Sequence, residues 1–153
     1  MAKTLWLLRH GDAEAHGLRA DFERRLTARG ERQSRAAGRA FARLGVRFEH
    51  VFTSPRVRAL DTARLVCAEL DLEPLVHEPL GGGFDEHDAA ELLAATADGG
   101  ALLLVGHEPD LSGLVAALTP ASIEMKKGGI AAIRDGELVG LLRPREIELV
   151  AGL

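Results

Sequence analysis

Leu7-Leu8-Arg9-His10-Gly11-Asp12 stands at the end of the first apolar run of the chain, Thr4–Leu8. The run is short, apolar and bounded by polar residues and glycine, which predicts a buried strand. Arginine and histidine are costly to bury unless polar groups meet them, while Gly11 permits a sharp turn or a close approach to a ligand. Taken alone, this stretch is equally typical of a strand that simply ends in solvent.

The same arrangement recurs twice further along the chain. The strand predicted at His50–Thr53 is followed by Ser54-Pro55-Arg56, and the continuous apolar run Ala101–Val105 is followed by Gly106-His107. In open parallel sheets the carboxyl ends of the strands share one edge, and ligands bind there. We therefore expect the fold to gather two arginines and two histidines at one place: Arg9, His10, Arg56 and His107.

Composition places the chain among ordinary globular proteins. It has 153 residues, of which 46% are hydrophobic and 27% are charged, and this length is typical of one domain with a sizeable core, spanning residues 1–153. The formal net charge of −4 gives no electrostatic argument for binding nucleic acid or an anionic membrane. The sequence does not indicate an oligomeric state.

Cysteine content and apolar run lengths limit the compartment and the class of protein. Cys67 is the single cysteine, which excludes an internal disulfide framework and a cysteine-rich metal site. Met1-Ala2-Lys3 is not followed by the apolar segment of a signal peptide, and no run reaches the length that spans a bilayer. We expect a cytoplasmic protein that does not act in a membrane.

Helical and strand patterns alternate along the chain. Thr27 is a plausible helix N-cap and Gly45 a plausible helix end, while Asp85 and Pro109 fit the starts of two later helices. Asp135-Gly136 between two apolar runs is a strong hairpin signal. This order predicts an α/β fold: a single-domain three-layer structure with a mainly parallel central sheet flanked by helices and a C-terminal antiparallel hairpin. Two helical faces are predicted to point inward, formed by Ala37, Ala40, Phe41 and Leu44 and by Leu60, Ala63, Cys67 and Leu70.

The four residues at the strand ends favour phosphate chemistry. Guanidinium groups bind phosphate oxygens bidentately, and fixed positive groups lower the barrier to phosphoryl transfer. A neutral histidine can serve as the nucleophile and form a phosphoramidate. Such a set suffices without a metal or other cofactor, and we expect none. Glu86-His87-Asp88 and His107-Glu108 lack the His-Glu-x-x-His spacing of a zinc site.

Three segments together resemble the histidine phosphatase (phosphoglycerate mutase-like) superfamily: Leu7–Gly11, Ser54-Pro55-Arg56 with Ala59 and Thr62, and Val105–His107. Leu7–Glu14, together with Arg25-Leu26-Thr27 and Gly30, is similar to its SixA group of phosphohistidine phosphatases. The resemblance implies that His10 is the nucleophile that becomes phosphorylated. It implies that Arg9 and Arg56 bind phosphoryl oxygens and that His107 adds a donor. The expected substrate-binding positions are Gly11, Ser54 and Gly106.

The proton donor is the open point of this resemblance. Larger relatives supply a carboxylate from an inserted cap, whereas the 50 residues between Arg56 and His107 are already used by predicted helices, a strand and turns, so that no cap domain fits. Asp21 and Asp12 are the leading candidates for the general acid, and each is also explained as a loop or helix-cap residue. Glu14, Glu78 and Asp85 stay open as well. Further basic residues could extend the positive rim, namely Arg24, Arg25, Lys126 and Lys127.

The leading functional prediction is a metal-independent phosphatase that works through phosphohistidine on His10. A shallow site without a cap favours a phosphohistidine-bearing protein over a small phosphorylated metabolite as the partner, and imidazole is an easier leaving group than an alkoxide. Two alternatives remain: a small-molecule phosphomonoesterase, and a phosphate-binding regulatory module that hydrolyses nothing. Turnover of a generic aryl phosphate separates the enzymes from the module.

Overall fold

The computed structural model describes residues 1–153, arranged as six strands and five helices. The strands are β1 (Thr4–Arg9), β2 (His50–Thr53), β3 (Leu75–Val76), β4 (Ala101–Gly106), β5 (Ile130–Arg134) and β6 (Glu137–Leu142). The helices are α1 (Ala28–Leu44), α2 (Val57–Leu70), α3 (Glu86–Ala94), α4 (Asp110–Leu118) and α5 (Pro144–Ala151). No helix combines the length and the apolar character that crossing a membrane would need.

All six strands form one sheet in the order β3-β2-β4-β1-β5-β6. The neighbours from β3 to β1 are parallel, while β5 is antiparallel to both β1 and β6. The predicted α/β fold with a mainly parallel sheet and a C-terminal antiparallel hairpin is therefore confirmed. No cap is inserted between β2 and β4, where the chain forms only α2, β3, a short 3₁₀ turn and α3.

Two hydrophobic cores lie on the two faces of this sheet. Residues of α1, α2 and α5 pack on one face around Leu8, Leu103 and Val105, and residues of α3 and α4 pack on the other around Leu102 and Leu104. Because β4 is buried on both faces, its sequence is continuously apolar rather than alternating. This three-layer arrangement leaves the carboxyl ends of β1, β2 and β4 on a common edge.

Local sequence signals account for several element boundaries. The hydroxyl of Thr27 accepts the Gly30 N–H at the start of α1, and Gly45 ends that helix in the left-handed region with φ 71°. Asp135 and Gly136 have φ values of 52° and 71°, which fit the two-residue hairpin turn that requires positive φ at both positions. The side chain of Asp85 accepts backbone N–H groups at the start of α3. These predicted caps and turns are confirmed.

One prediction about the helices is wrong, and one helix was not predicted. Leu44 was expected in the core but is 48% exposed, because it is the last residue of α1 and Val46, beyond the turn at Gly45, packs against the core instead. Helix α5 was not predicted from the sequence, although Pro144 at its first position is typical of a helix start. This helix buries Ile147 in the core shared with α1.

Candidate active site

The sheet register brings the predicted residues together. Arg9 pairs with Gly106, and Thr53 pairs with Val105, so the residues that follow β1, β2 and β4 emerge at one edge. The ring centroids of His10 and His107 lie 5.2 Å apart there. Both histidines are buried, and each needs polar partners to remain so.

Backbone geometry fixes the protonation of His10. Its Nδ1 lies 2.7 Å from the carbonyl oxygen of Gly11, and since a carbonyl can only accept, Nδ1 carries the proton. Burial lowers the pKa of His10 to about 4, and the positive charges of Arg58, Arg9 and Lys127 add to this decrease. At neutral pH the ring is therefore uncharged, and Nε2 keeps the lone pair that a nucleophile requires.

His107 has the complementary arrangement. Its Nε2 lies 2.7 Å from the hydroxyl oxygen of Ser54, which also accepts the backbone N–H of Arg56. Burial lowers the pKa of His107 to about 3, with His10 and two arginines contributing to the decrease. The Ser54 hydroxyl has no other acceptor for its proton, so its O–H donates to Nε2 of the neutral ring, and the ring proton sits on Nδ1, which makes that nitrogen a donor.

A cavity of about 360 Å³ opens between the two histidines. Four cationic side chains line it, those of Arg9, Arg24, Arg58 and Lys127. Arg9 donates from Nη1 to the Met125 carbonyl oxygen at 2.9 Å. The side chain of Arg58 is only 8% exposed, so its charge acts on the cavity with little screening by solvent.

Three buried donors around this cavity lack an acceptor. They are Nε of Arg9, Nε of Arg58 and Nδ1 of His107, and no other buried side-chain nitrogen or oxygen in the protein is without a hydrogen-bond partner. Buried polar groups are normally paired, so a concentration of unpaired donors marks a ligand site or a functional one. An anion with several oxygens supplies the matching acceptors.

Two arginines that stand two residues apart in the sequence differ in their position relative to the cavity. Arg58 lines the cavity, whereas Arg56, the residue named from the sequence, does not. Arg56 caps the start of α2 and donates from Nε to the Gly81 carbonyl oxygen at 2.7 Å. The sequence carries a signal for the position of Arg58, because Arg58 and Thr62 stand four residues apart and therefore lie on one face of α2. The residues on that face are buried.

Asp21 links three arginines at the mouth of the cavity. Its Oδ2 accepts from Arg56 at 2.6 Å and from Arg58 at 3.2 Å, and its Oδ1 accepts from Arg24 at 3.1 Å. Desolvation acts to raise the pKa of Asp21, but Arg58 and Arg24 outweigh it, and the net shift is downward. Asp21 is therefore an ionised carboxylate that positions arginines rather than a protonated acid.

The second candidate acid, Asp12, does not line the cavity. Its Oδ2 accepts the Thr27 hydroxyl at 2.7 Å, and its N–H donates to Gln33 at 2.8 Å, so it joins the loop after β1 to the start of α1. Asp85 is the α3 cap described above, and Glu78 lies in the 3₁₀ turn after β3.

Two other carboxylates line the cavity, and both are already hydrogen-bonded. Glu14 accepts the Arg25 N–H and Arg19 Nε, of which the Arg25 backbone bond contributes most to lowering the Glu14 pKa. Glu108 accepts the N–H groups of Ser112 and Met125. The cavity thus offers no carboxyl group poised to deliver a proton.

The three residues expected to bind substrate have their polar groups engaged within the protein. The Gly11 carbonyl holds His10, and its N–H donates to the Thr62 hydroxyl at 3.1 Å. The Gly106 carbonyl accepts the His10 N–H. These groups, with the Ser54 hydroxyl, orient the histidines, which sequence reasoning alone did not reveal.

Close packing explains the glycine after His10. A Cβ on Gly11 would lie 2.6 Å from the Gly30 carbonyl oxygen, and one on Gly30 would lie 2.0 Å from the Asp12 carbonyl oxygen. The loop that carries the histidine therefore lies directly against the first turn of α1. Of the expected basic rim, Arg24 and Lys127 line the cavity, while Lys126 and Arg25 do not.

Comparisons with known proteins agree with this geometry. Residues 5–81 match the family model described as the histidine phosphatase superfamily, branch 1. The chain is 34% identical over 140 residues to an uncharacterised protein of Picosynechococcus sp. strain PCC 7002, covering 86% of this chain and 85% of the relative. It is 36% identical over 104 residues to a 2,3-bisphosphoglycerate-dependent phosphoglycerate mutase of Methylobacterium radiotolerans, covering 64% of this chain and 47% of the mutase. The solved structure of the protein histidine phosphatase SixA complexed with tungstate superimposes with a TM-score of 0.83 and 29% identity, covering 94% of this chain and 99% of that one.

Proposed function

The chain belongs to the histidine phosphatase superfamily, and we propose on that basis that it is a metal-independent phosphatase that removes phosphate from phosphohistidine on another protein through a phosphorylated His10. The observation that carries the proposal is the group of three unpartnered buried donors, in Arg9, Arg58 and His107, beside a neutral histidine whose Nδ1 is held by a backbone carbonyl. The similar SixA structure was obtained with tungstate, which is a tetrahedral oxyanion like phosphate.

In the first step the Nε2 lone pair of His10 forms a bond to phosphorus. The P–N bond of the substrate breaks, and its electron pair returns to the substrate imidazole. The buried donors of Arg9, Arg58 and His107 bind the phosphoryl oxygens, whose negative charge they stabilise as the bonds change.

In the second step a water oxygen attacks phosphorus and the bond to His10 breaks. Both protons of the water leave with the released phosphate or pass to solvent, and the electron pair returns to Nε2. Nδ1 keeps its proton throughout because the Gly11 carbonyl holds it. His10 is thus regenerated in the tautomer with which it began.

The absence of a free acid in the cavity favours a phosphohistidine substrate. Asp21 is ionised among arginines, and Glu14 and Glu108 are held by backbone N–H groups. An alkoxide leaving group needs a proton from the enzyme, whereas a phosphohistidine ring that is protonated on its other nitrogen leaves as neutral imidazole. The site also lacks a cap that would enclose a small metabolite.

The decisive experiment compares substrates and traps the intermediate. The protein is incubated with a radiolabelled phosphohistidine protein, and the reaction is quenched in alkali. The label transferred to this protein, as distinct from the substrate protein, is then tested for survival in alkali and loss in acid. We expect trapped label in the wild type and in Arg47→Gln, a matched surface control, and none in His10→Gln. Label or near-normal turnover in His10→Gln would refute covalent catalysis by His10. A sugar phosphate or aryl phosphate with a higher kcat/KM than every phosphohistidine protein tested would refute the substrate assignment.

A further inference from the structure

A second groove adjoins the catalytic cavity and, apart from the shared Arg9, plays no part in the chemistry described above. Its volume is about 570 Å³, and it shares Arg9 and Lys127 with the cavity. The end of β1, the first turns of α1 and of α5, and the loop before β5 form its walls. Charged residues make up most of its lining.

The lining of this groove is strongly basic. Six basic side chains line it, those of Arg9, Arg29, Lys126, Lys127, Arg143 and Arg145, against the two carboxylates of Asp12 and Glu146. Arg143 is paired with Glu146 at 3.0 Å, and Lys127 lies 3.6 Å from Asp12. Arg29 and Arg145 have no carboxylate within 4.0 Å, unlike those pairs, so their charges are available to a partner.

Arg29 and Arg145 also occupy positions where a positive charge does not help the fold. Each is the second residue of its helix, α1 or α5, and the helix dipole favours negative charge in the first turn. The two helix N-termini open onto the same groove and add their own partial positive charge. The basic character of this surface therefore has no evident role in stability.

We propose that this groove, resting on the proposed function, docks an acidic surface of the protein whose phosphohistidine enters the catalytic cavity. Arg9 and Lys127 line both the groove and the catalytic cavity. Carboxylates of a partner bound in the groove therefore lie beside the reacting phosphoryl group. The chain has a net charge of −4, so an acidic partner is repelled on average and this surface is where it is attracted. Such complementarity steers and orients the encounter.

The distribution of charge favours several carboxylates over one compact anion. The free arginines and both lysines are exposed, whereas a site for a single phosphate concentrates buried, convergent donors as the catalytic cavity does. Exposed cations spread along a groove match an acidic surface of similar extent. A second phosphate on a small molecule, or a nucleic acid, is an outcome that the test distinguishes.

The test reverses the two free charges and compares substrates. Arg29→Glu/Arg145→Glu is assayed beside Arg47→Glu/Arg134→Glu, which makes the same charge change at the opposite end of the sheet. For a phosphohistidine protein at low ionic strength we expect kcat/KM to fall about tenfold or more in the groove variant, chiefly through KM, and the difference to shrink as salt is added. Aryl phosphate turnover should change less than twofold in both variants, which also shows that they fold.

Each outcome bears on the proposal separately from the proposed function. An unchanged KM for the phosphohistidine protein, or an equal loss in the control variant, overturns docking at the groove while the proposed function stands. If the groove substitutions lower kcat/KM only for a small bisphosphate, or change only the inhibition by added nucleic acid, the acidic-protein assignment is overturned. If the wild type does not turn over any phosphohistidine protein, both proposals fail together.

Discussion

Replacement of Arg58 by lysine should cost far more activity than the same replacement at Arg56. Arg58 lines the catalytic cavity, is 8% exposed, and has a buried Nε without an acceptor. Lysine keeps the charge but loses the planar fork and the Nε donor. Removing one donor to a transition-state oxyanion typically costs about 10²–10³ in kcat, so we expect a decrease of about 10²-fold in Arg58→Lys.

Arg56→Lys is the matched variant. Arg56 loses its bond to the Gly81 carbonyl, worth about 1 kcal/mol, and weakens a partly exposed pair with Asp21, worth about 1 kcal/mol at most. Since Arg56 does not line the cavity, these losses fall on stability, and kcat should change less than about threefold, or about 0.7 kcal/mol.

Steady-state kinetics on an aryl phosphate measures kcat, and urea denaturation of each variant measures the free energy of unfolding. The expected pattern is a low kcat with modest loss of stability in Arg58→Lys and the reverse in Arg56→Lys. A larger loss of kcat in Arg56→Lys would contradict the assignment and restore the role that the sequence pattern gave to Arg56.

Further measurements follow from the histidines and glycines. After correction for ionisation of the substrate, kcat/KM should decline as pH falls through an enzyme pKa near 4, because protonation removes the Nε2 lone pair of His10; a decline centred near the ordinary histidine pKa would contradict the burial argument. The contribution of neutral His10 to the free energy of unfolding should be fully present above about pH 6.5, the ordinary histidine pKa. It should be lost between there and about pH 4, because the unfolded state binds protons that folded His10 excludes. For His10 this loss in the free energy of unfolding amounts to about 3 kcal/mol. In urea denaturation, the free energy of unfolding of the His10→Gln/His107→Gln variant should decrease less over the same pH range. Gly30→Ala should destabilise by about 3 kcal/mol or more because its Cβ meets the Asp12 carbonyl oxygen, whereas Gly113→Ala, with open space around it in α4, should stabilise by about 0.5–1 kcal/mol; thermal unfolding compares them, and equal effects would contradict the packing argument.

Much of the fold followed from local signals in the sequence. Thr27, Gly45 and the Asp135-Gly136 turn act through groups within a few residues of themselves, so their effect is readable without tertiary structure. The strand ends were equally readable, because parallel order alone brings His10 and His107 to one edge. These features needed only pattern and connectivity.

The features that were missed depend on contacts distant in sequence. That Arg58 rather than Arg56 lines the cavity depends on the position at which α2 begins, since a shift of two residues exchanges the buried face for the N-cap. The ionised state of Asp21 comes from arginines 3 to 37 residues away. The basic groove joins the start of α1 to α5, a helix that short local patterns did not reveal.

The position of β1 in the sheet has a consequence for biosynthesis. The strand that carries Arg9 is synthesised before both of its neighbours in the sheet, β4 and β5, which follow it by about 100 residues or more. During most of translation, β1 has no partner on either edge. A nascent chain that ends before β5 therefore holds His10 without the walls of its site, and we expect phosphatase activity to arise only in a single late step, after β4 and the hairpin have closed around that histidine.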